Sequence, residues 1–548
     1  MPATLTARQL RVVRGATPVL DGISLTLGPK SRVGVIGPNG VGKSTLLRVL
    51  AGELAPDQGS VLLAPPLATV GLVHQERALP PELPALEALA LLTGVGEAET
   101  AMEEASAALG AGEVGAEDRY ADALERWLAL GGADFAARSA VALEEAGLDA
   151  ALLSRPCGAL SGGERARVAL CALGLSRHDL VLLDEPTNDL DLAGLARLEE
   201  VVRGFAGGVM IVSHDRAFLE ATVSSVLEID EHLRTARLFD GGWSAYLQER
   251  ALERGHAEER FAKYDERRRE LEDRARRQRQ WAEVGARKAA KKPTDHDKAQ
   301  RDFRANRTEK QASKVRISER ALERLDAVDK PWEGWELRFE IAAAPRGGDV
   351  VCRLEGAVVE RGAFTLGPVD LEVRAGERVG IVGANGAGKS TLLGALLGRE
   401  PLASGRAHLG PSVVVGELDQ GRAELVAGET LLEGVRRLIG DELALSETRS
   451  LLAKFGLGAE HVRRDVATLS PGERTRATLA LFMARQVNCL VLDEPTNHLD
   501  LPAIEELEGA LNAFPGTLLL VTHDRRLLEA VALGRRVEVA AGQVRELG

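Results

Sequence analysis

Two glycine-rich segments in this 548-residue chain have the residue types that bind phosphate. The first runs from Gly37 to Ser44, the second runs from Gly383 to Ser390, and both end in Gly-Lys-Ser. Each segment follows a short apolar run typical of a strand and precedes a run typical of a helix. Glycines let backbone N–H groups close around phosphates, and the N-terminus of the following helix favours negative charge. The spacing therefore predicts two P-loops.

The side chains of each loop predict how a nucleotide would be held. Lys43 and Lys389 would contact the outer phosphates, and Ser44 and Ser390 can ligate magnesium. The predicted nucleotide-binding residues of the two loops are Gly37, Asn39, Gly40, Gly42, Lys43, Ser44, Thr45, Gly383, Asn385, Gly386, Gly388, Lys389, Ser390 and Thr391.

Two acidic pairs follow apolar, strand-like runs downstream of the loops. In the pairs Asp184-Glu185 and Asp493-Glu494, the first acid can hold magnesium through water and the second can polarise an attacking water. Acids at a strand end are commonly structural. Because the order of P-loop and acidic pair occurs twice, the sequence favours catalysis by the two glutamates.

Two histidines, His214 and His523, also follow short apolar runs, and each is followed by aspartate. A single histidine in such a place is more often structural. The matched pair favours a catalytic contact with the terminal phosphate of the nucleotide.

A Leu-Ser motif opens a predicted helix in each half of the chain. Ser161 and Gly163 belong to Leu-Ser-Gly-Gly-Glu, and Ser470 and Gly472 belong to Leu-Ser-Pro-Gly-Glu. These residues offer a hydroxyl and backbone donors to an anion, but each serine could equally be a plain helix N-cap.

Constant offsets between corresponding motifs define an internal repeat. Lys43 and Lys389 are 346 positions apart, Gln75 and Gln420 are 345 apart, and the acidic and histidine motifs are 309 apart. The first copy is therefore about 36 residues longer after its glutamine. This predicts a helical insertion at about 79–156, either an enlarged helical subdomain or a projecting arm that contacts a partner.

The segment between the two copies differs in charge from the rest of the chain. Residues 251–330 contain 24 Lys and Arg against 17 Asp and Glu, although the whole chain has a net charge of −13. The segment has few glycines, and Pro293 divides it into two arms that can each form a helix. We predict an antiparallel helical hairpin with a basic tip at about 288–307. Such a tip suits the phosphates of a structured RNA, although charge runs are often only a solvated face.

Composition narrows the class of protein. Apolar residues make up 45% of the chain, enough for sizeable cores, and no apolar run reaches the length of a membrane span. The four cysteines lie far apart and have no zinc-site spacing, so reduced core residues are expected. A soluble, cytoplasmic protein without a membrane domain is predicted.

The order of P-loop, glutamine, Leu-Ser-Gly-Gly-Glu, acidic pair and histidine resembles the ATP-binding cassette (ABC) ATPases across both halves of the chain. Asp-Glu-Pro-Thr-Asn-Asp-Leu-Asp at 184–191, its partner at 493–500 and the charged linker resemble the ABC-F subfamily. The resemblance implies an α/β fold with two P-loop ABC ATPase domains, at 1–246 and 333–548. A helical-hairpin linker would occupy 247–332.

The resemblance also implies how the halves work together. ATP and Mg2+ would be the cofactors, with Gln75 and Gln420 contacting both. One ATP would lie between the Lys43 loop and Ser470 and Gly472. The other would lie between the Lys389 loop and Ser161 and Gly163. A monomer could therefore close on itself, since both cassettes are in one chain.

For function, the resemblance implies an ATP-hydrolysing protein that binds the ribosome, with rRNA and tRNA as partners of the linker. It would modulate translation or protect the ribosome from antibiotics. The alternatives are the ATPase subunit of a membrane ABC transporter, which leaves the basic linker unexplained, and a DNA-maintenance ATPase.

Two departures from the family pattern concern the nucleotide sites. Pro471 replaces the usual glycine and removes a backbone donor, which predicts a slower first site. No aromatic residue for stacking on adenine is obvious: Arg14 stands near the expected place in the first cassette, and the second offers Arg361 or Phe364. An arginine can stack instead.

Overall fold

The computed structural model describes residues 3–290 and 349–547, except positions 16, 67, 74–78, 189, 232, 363, 419–422, 441–442 and 498. The chain divides into two compact units. One contains Met1–Ser244 together with Trp335–Gly548, and the other is Ala245–Gly334. Both halves of the internal repeat therefore belong to one unit.

The first half is built on a six-stranded sheet, the order of which is β5-β6-β7-β3-β8-β9. Its strands are β3 (Arg32–Ile36), β5 (Val70–Val73), β6 (Leu180–Asp184), β7 (Gly208–Val212), β8 (Ser225–Ile229) and β9 (Ala236–Asp240). Neighbouring strands are parallel except for the last pair, which is antiparallel. The three central strands are buried at every position, as expected for parallel strands covered on both faces.

A second, antiparallel sheet packs into the same core. It has the order β2-β1-β4, with strands β1 (Thr4–Arg14), β2 (Thr17–Leu27) and β4 (Gln58–Ala64). The helices of the first half are α1 (Lys43–Leu50), α2 (Ala85–Leu92), α3 (Val95–Gly110), α4 (Ala116–Ala129), α5 (Phe135–Glu145), α6 (Gly162–Leu175), α7 (Leu192–Gly204) and α8 (Arg216–Thr222).

The second half repeats this architecture. Its six-stranded sheet has the order β14-β15-β16-β12-β17-β18, and its three-stranded sheet has the order β11-β10-β13. The strands are β10 (Val350–Arg361), β11 (Phe364–Arg374), β12 (Arg378–Val382), β13 (Ser404–Leu409), β14 (Val415–Glu417), β15 (Cys489–Asp493), β16 (Thr517–Val521), β17 (Arg535–Ala540) and β18 (Gln543–Leu547). The predicted α/β class, with one architecture occurring twice in the chain, is confirmed.

The helices of the second half and of the linker are α9 (Trp243–Ala290), α10 (Lys389–Leu396), α11 (Leu431–Ile439), α12 (Leu445–Lys454), α13 (Pro471–Ala484), α14 (Leu501–Ala513) and α15 (Arg525–Ala530). Short 3-10 helices occur at Gly132–Asp134, Ala150–Ser154, Cys157–Ala159, His461–Arg463 and Val466–Thr468. All four cysteines are free and buried, as their spacing predicted.

The stretch 79–156 contains four α-helices, α2 to α5, and they share a small apolar core with α6. Helix α3 packs on α4. The chain turns between α4 and α5 at Gly131, where φ is +76°, a conformation that favours glycine. In the second half, α11 and α12 occupy the corresponding interval. The extra length of the first copy is therefore helical.

The linker helix α9 is continuous over 48 residues, about 72 Å at 1.5 Å per residue. Pairs three and four residues apart support it, among them Arg267–Glu270 at 2.8 Å and Arg269–Asp265 at 2.7 Å. The predicted return arm and most of the basic tip lie outside the described residues, so the hairpin and the predicted boundaries 1–246, 247–332 and 333–548 stay predictions. No helix in the described residues is long and apolar enough to span a membrane.

Two glycines with open space around them should respond in opposite ways to the addition of a methyl group. Nothing lies within 4 Å of a Cβ built on Gly255, in α9, or on Gly52, but Gly52 has a φ of +80°. We expect Gly255→Ala to stabilise the helix by about 1 kcal/mol. Gly52→Ala should destabilise the fold by about 1 kcal/mol, because alanine disfavours positive φ. Urea unfolding followed by circular dichroism measures both changes in the free energy of unfolding. Changes of the same sign would contradict the backbone conformations assigned to the two glycines.

Candidate nucleotide-binding and hydrolysis sites

The sheet order brings the predicted catalytic segments of each half together. In the first half, β6, β7 and β3 are adjacent and parallel. Their carboxyl ends therefore meet at one edge, where α/β proteins bind ligands. Asp184 ends β6, His214 follows β7, and the first P-loop follows β3. The strands β15, β16 and β12 do the same for Asp493, His523 and the second P-loop.

The P-loops need glycine for two separate reasons. Gly37 and Gly383 have φ values of +147° and +154°, which side chains disfavour. Gly42 and Gly388 have positive φ and also lack space. A Cβ on Gly42 would lie 2.9 Å from side-chain atoms of Val19, and a Cβ on Gly388 would lie 2.7 Å from the ring of Phe364. Gly40 and Gly386 also have positive φ, with open space around them.

Each P-loop lysine is folded back over its own loop. Lys43 Nζ donates to the carbonyls of Gly37 at 2.7 Å and Pro38 at 3.2 Å. Lys389 Nζ donates to the carbonyls of Gly383 at 2.8 Å and Ala384 at 3.1 Å. Burial lowers the pKa of both lysines from the usual value. Each loop therefore holds a buried positive charge beside its N–H groups, an arrangement that suits phosphate.

The remaining loop residues begin the helices. Ser44 and Thr45 are in the first turn of α1, and Ser390 and Thr391 are in the first turn of α10. Ser390 Oγ donates to Asp493 Oδ2 at 2.7 Å. This bond joins the two residues that the sequence predicts as metal ligands in the second site. Both offer oxygen, the donor that magnesium prefers.

The two candidate general bases are largely buried, with side chains 9% and 24% exposed, and their backbones are strained in the same way. Glu185 and Glu494 have φ values of +49° and +46°, a region that non-glycine residues rarely adopt. Their amides donate to the carbonyls of Val212 and Val521 on the neighbouring strand, both at 2.9 Å. Burial raises the pKa of each carboxyl group to about 7. A group that titrates near neutral pH can accept a proton from water efficiently.

Both histidines are neutral at physiological pH. Burial and the Lys43 ammonium lower the pKa of His214 to about 3, and burial and Lys389 lower that of His523 to about 4. His214 Nε2 lies 3.3 Å from Glu185 Oε1, and His523 Nε2 lies 3.4 Å from Glu494 Oε1. Each histidine is thus adjacent to the glutamate of its own half.

In the second half, the histidine also reaches the P-loop. His523 Nε2 lies 2.9 Å from Lys389 Nζ and 3.1 Å from Asn385 Oδ1. A neutral imidazole nitrogen can accept from the ammonium of Lys389. The histidine, lysine and asparagine therefore form one hydrogen-bonded group at the second P-loop.

The serines of the two Leu-Ser motifs, which we call the signature motifs, are helix N-caps. Ser161 Oγ accepts from the amide of Glu164 at 3.3 Å, and the Glu164 carboxylate accepts from the Ser161 amide at 2.8 Å. Ser470 and Glu473 form the same capping box at α13. The N-cap interpretation is therefore correct for the local structure. It leaves the N-terminal end of each helix open to an anion as well.

Parts of both halves surround the second P-loop. A cavity of about 1070 Å³ is lined by Ser161 and Gly163 of the first half and by Asn385, Lys389 and Glu494 of the second, among others. A Cβ built on Gly163 would lie 3.5 Å from the Asn385 carbonyl oxygen. The Lys389 loop and the first signature motif therefore face each other.

Two aspartates that the sequence analysis did not single out connect the halves. Asp500 Oδ2 accepts from the amide of Asn39, and Asp191 Oδ2 accepts from the amide of Asn385, both at 3.1 Å. The other oxygen of each aspartate caps its own helix, α14 or α7. Both residues end the repeated Asp-Glu-Pro-Thr-Asn segments, and their equal 309-residue offset was the signal for them.

The base-binding end differs between the halves. Phe364 lines the cavity and packs beside Gly388. Arg361 Nε instead donates to Glu400 at 3.2 Å, so it is engaged elsewhere. In the first half, Val19 and Leu20 lie against Gly42, and Arg14 is exposed at the end of β1. Of the candidates named from the sequence, Phe364 is the aromatic beside a P-loop. Gln75 and Gln420 lie outside the described residues.

Comparison with known proteins agrees with this geometry. A family model described as ABC transporter matches residues 20–188 and 366–497. The tylosin resistance ATP-binding protein TlrC of Streptomyces fradiae is 38% identical over 540 residues, covering 96% of this chain and 95% of that protein. The energy-dependent translational throttle protein EttA of Mycobacterium tuberculosis is 31% identical over 553 residues, covering 96% of this chain and 89% of that protein.

A solved structure titled RNase-L Inhibitor superposes with a TM-score of 0.57 at 20% identity, covering 98% of this chain and 90% of that chain. At this level of identity the likeness concerns the fold. It agrees with two duplicated α/β halves in one polypeptide.

The raised glutamate pKa predicts how hydrolysis should depend on pH. A general base acts as carboxylate, so a pKa of about 7 leaves much of it protonated and inactive below neutral pH. We expect kcat/KM for ATP to rise from about pH 6 to about pH 8 with an inflection near 7. Steady-state phosphate release, with melting temperatures recorded across the range, measures this. A flat profile in folded protein would exclude these glutamates as the titrating bases.

Proposed function

The chain belongs to the ABC transporter family of ATP-binding proteins and, within it, to the ABC-F subfamily, and we propose that it uses ATP hydrolysis to act on the ribosome. The observation that carries the proposal is the pairing of the Lys389 loop with the signature motif of the other half. ATP bound there would contact both cassettes and favour the closed arrangement, and hydrolysis would remove that advantage. The cycle would thus alternate closure and release.

Each site divides the chemistry among its own residues. The P-loop N–H groups and Lys43 or Lys389 hold the phosphates and stabilise the charge that develops on the transferred group. Glu185 or Glu494 accepts the proton of the attacking water. His214 or His523, held neutral by burial, contacts the terminal phosphate from beside that glutamate. Ser470 and Gly472 complete the first site from the opposite cassette, and Ser161 and Gly163 complete the second site in the same way.

The donor set fits magnesium. Ser44 and Asp184 in the first site, and Ser390 and Asp493 in the second, offer hydroxyl and carboxylate oxygens, and the phosphates and waters would supply the rest. Gln75 and Gln420 would complete the two sets. Bound Mg2+ would neutralise phosphate charge during transfer.

The two sites should differ in rate and in their grip on the base. Pro471 is the first residue of α13 and has no N–H to offer the first site. The equivalent residue for the second site is Gly162, which begins α6 and has an N–H. Phe364 can stack on a base in the second site, whereas the side chains at the equivalent place in the first site are aliphatic. We infer that the first site is the slower and less base-selective of the two.

The ribosome is proposed as partner on two grounds. The linker carries the positive charge of an otherwise acidic chain, 15 basic against 5 acidic residues between positions 274 and 316, which suits RNA phosphates. EttA is named as a translational throttle protein, and it is similar to this protein along nearly the whole chain. The protein would work as a cytoplasmic monomer, with rRNA and tRNA beside the linker tip.

Trapping the ATP-bound form tests this function. Replacing both Glu185 and Glu494 with glutamine removes the bases and keeps the shape of the sites, so ATP should bind and persist. We expect the double variant to sediment with ribosomes in ATP and to stay in the supernatant without nucleotide. Lys43→Ala combined with Lys389→Ala serves as the control that cannot hold ATP.

Folded trapped protein that binds ATP but never sediments with ribosomes would reject the proposal. Detergent extracts in which a membrane protein co-purifies with the chain would instead favour the alternative of a transporter ATPase subunit.

Ribosome protection is the form of this function favoured by one observation. The tylosin resistance protein TlrC is 38% identical over nearly its full length, against 31% for EttA. Expression in a sensitive host should therefore raise the minimum inhibitory concentration of tylosin, and the Glu185→Gln/Glu494→Gln variant should not. Lincosamides and pleuromutilins form the comparison panel. Unchanged minimum inhibitory concentrations for all of these drugs, together with a changed rate of protein synthesis, would indicate a role in general translation.

A further inference from the structure

Two reciprocal ion pairs cross between the cassettes near the nucleotide sites. Arg216 of the first cassette donates to both carboxylate oxygens of Glu508 of the second through its terminal nitrogens, Nη1 and Nη2. Arg525 of the second bonds to Glu199 of the first at 2.5 Å. The two arginines are 309 residues apart, as are the two glutamates. The pairs are therefore one contact made twice by the internal repeat.

Each pair lies two turns along a helix that already touches the opposite P-loop. Helix α14 begins at its cap Asp500, which binds the Asn39 amide, and carries Glu508 eight residues later, about 12 Å along the axis. Arg216 is two residues beyond His214. Helix α14 thus contacts the first cassette at two separated points, its P-loop and its histidine segment. Two points fix an orientation that one point leaves free.

Helix α7 makes the same two contacts in the other direction. Its cap Asp191 binds the Asn385 amide, and Glu199 binds Arg525, which is two residues beyond His523. The two helices therefore align each P-loop and histidine segment with the opposite cassette. Any separation of the cassettes must break both pairs.

The four charged side chains of the two ion pairs are largely shielded from solvent, so each charge needs its partner. The side chains of Arg216 and Glu508 are 13% and 14% exposed. Arg525 and Glu199 are 35% and 9% exposed. Asp215 and Asp524 cap α8 and α15 beside the arginines, so the centre of the interface holds four acids around two guanidinium groups. A buried charge left without its partner opposes burial of that surface.

The two pairs are unequal. Glu199 also accepts from Arg203 in its own helix at 3.0 Å. The position equivalent to Arg203 is Asn512, and Asn512 bonds to the Ala530 carbonyl. Within the described residues, Arg216 is the basic partner of Glu508. Loss of Arg216 therefore strands a buried carboxylate, whereas loss of Arg525 leaves Glu199 with Arg203.

We propose that Arg216–Glu508 and Arg525–Glu199 are positioning pairs that set the register of the closed cassettes and so link the occupancy of the two nucleotide sites. Arg216–Glu508 contributes more. The inference rests on the ATP-driven closure proposed above and needs no ribosome, so it can be tested on the purified full-length chain.

The test is a double-mutant cycle on ATP binding and turnover. We expect Arg216→Gln and Glu508→Gln each to weaken binding of a fluorescent ATP analogue and to lower kcat by at least about tenfold. The double variant should recover part of the loss, because it leaves no unpaired buried charge. Arg525→Gln should weaken binding of the analogue and lower kcat by about threefold or less.

The matched control is Glu377→Gln, which breaks the pair with Arg535 inside the second cassette at 3.5 Å. Melting temperatures of the nucleotide-free variants show whether each one folds. Additive losses in the cycle, effects no larger than those of the control, or equal losses for Arg216→Gln and Arg525→Gln would each overturn the proposal. Ribosome sedimentation plays no part in these readouts, so failure here is distinguishable from failure of the proposed function.

Discussion

The contact between each P-loop and the capping aspartate of the opposite cassette is the interaction on which the rest of the structure depends. Asp191 and Asp500 each use one carboxylate oxygen to cap their own helix and the other to accept from a P-loop amide across the interface. A helix start and a phosphate-binding loop are thereby held together by a single side chain. Together with the ion pairs farther along the same helices, that contact fixes the position of each cassette over the P-loop of the other.

The interior of each cassette is arranged to make this contact useful. Parallel central strands end at one edge, and there the chain adopts backbone conformations that cost energy, such as positive φ at Glu185 and Glu494. The strain is tolerated because the surrounding central strands are buried and each is paired with a strand on both sides. Burial also moves the glutamate and histidine pKa values in opposite directions, since it disfavours whichever form is charged. A base near neutrality beside an uncharged imidazole follows from one cause.

Charge is divided between the parts of the molecule. The cassettes carry the acidic excess, and the linker carries the basic one. Inside the cassette interface, Arg216 and Arg525 are paired with Glu508 and Glu199. The basic excess of the linker is the charge that the proposed contact with RNA would use. In the proposed function, nucleotide chemistry and partner binding are thus assigned to separate parts of the chain, and closure of the cassettes would relate them.

The sequence by itself determined the two P-loops, the acidic pairs, the histidines and the α/β class, because these depend on local patterns of glycine, apolar runs and charge that recur at fixed offsets. It also located the extra helical segment by subtraction. It did not single out Asp191, Asp500, Arg216 or Glu508, and it left Phe364 level with Arg361 and the serines between two roles. The contacts of the two aspartates, Arg216 and Glu508 were decided by tertiary structure alone, since they join groups that are 194 to 461 residues apart. Packing beside Gly388 distinguished Phe364 from Arg361, and the serines are N-caps, while their contact with an anion stays a prediction. Spacing along a chain predicts what a segment can bind, but packing decides what it touches.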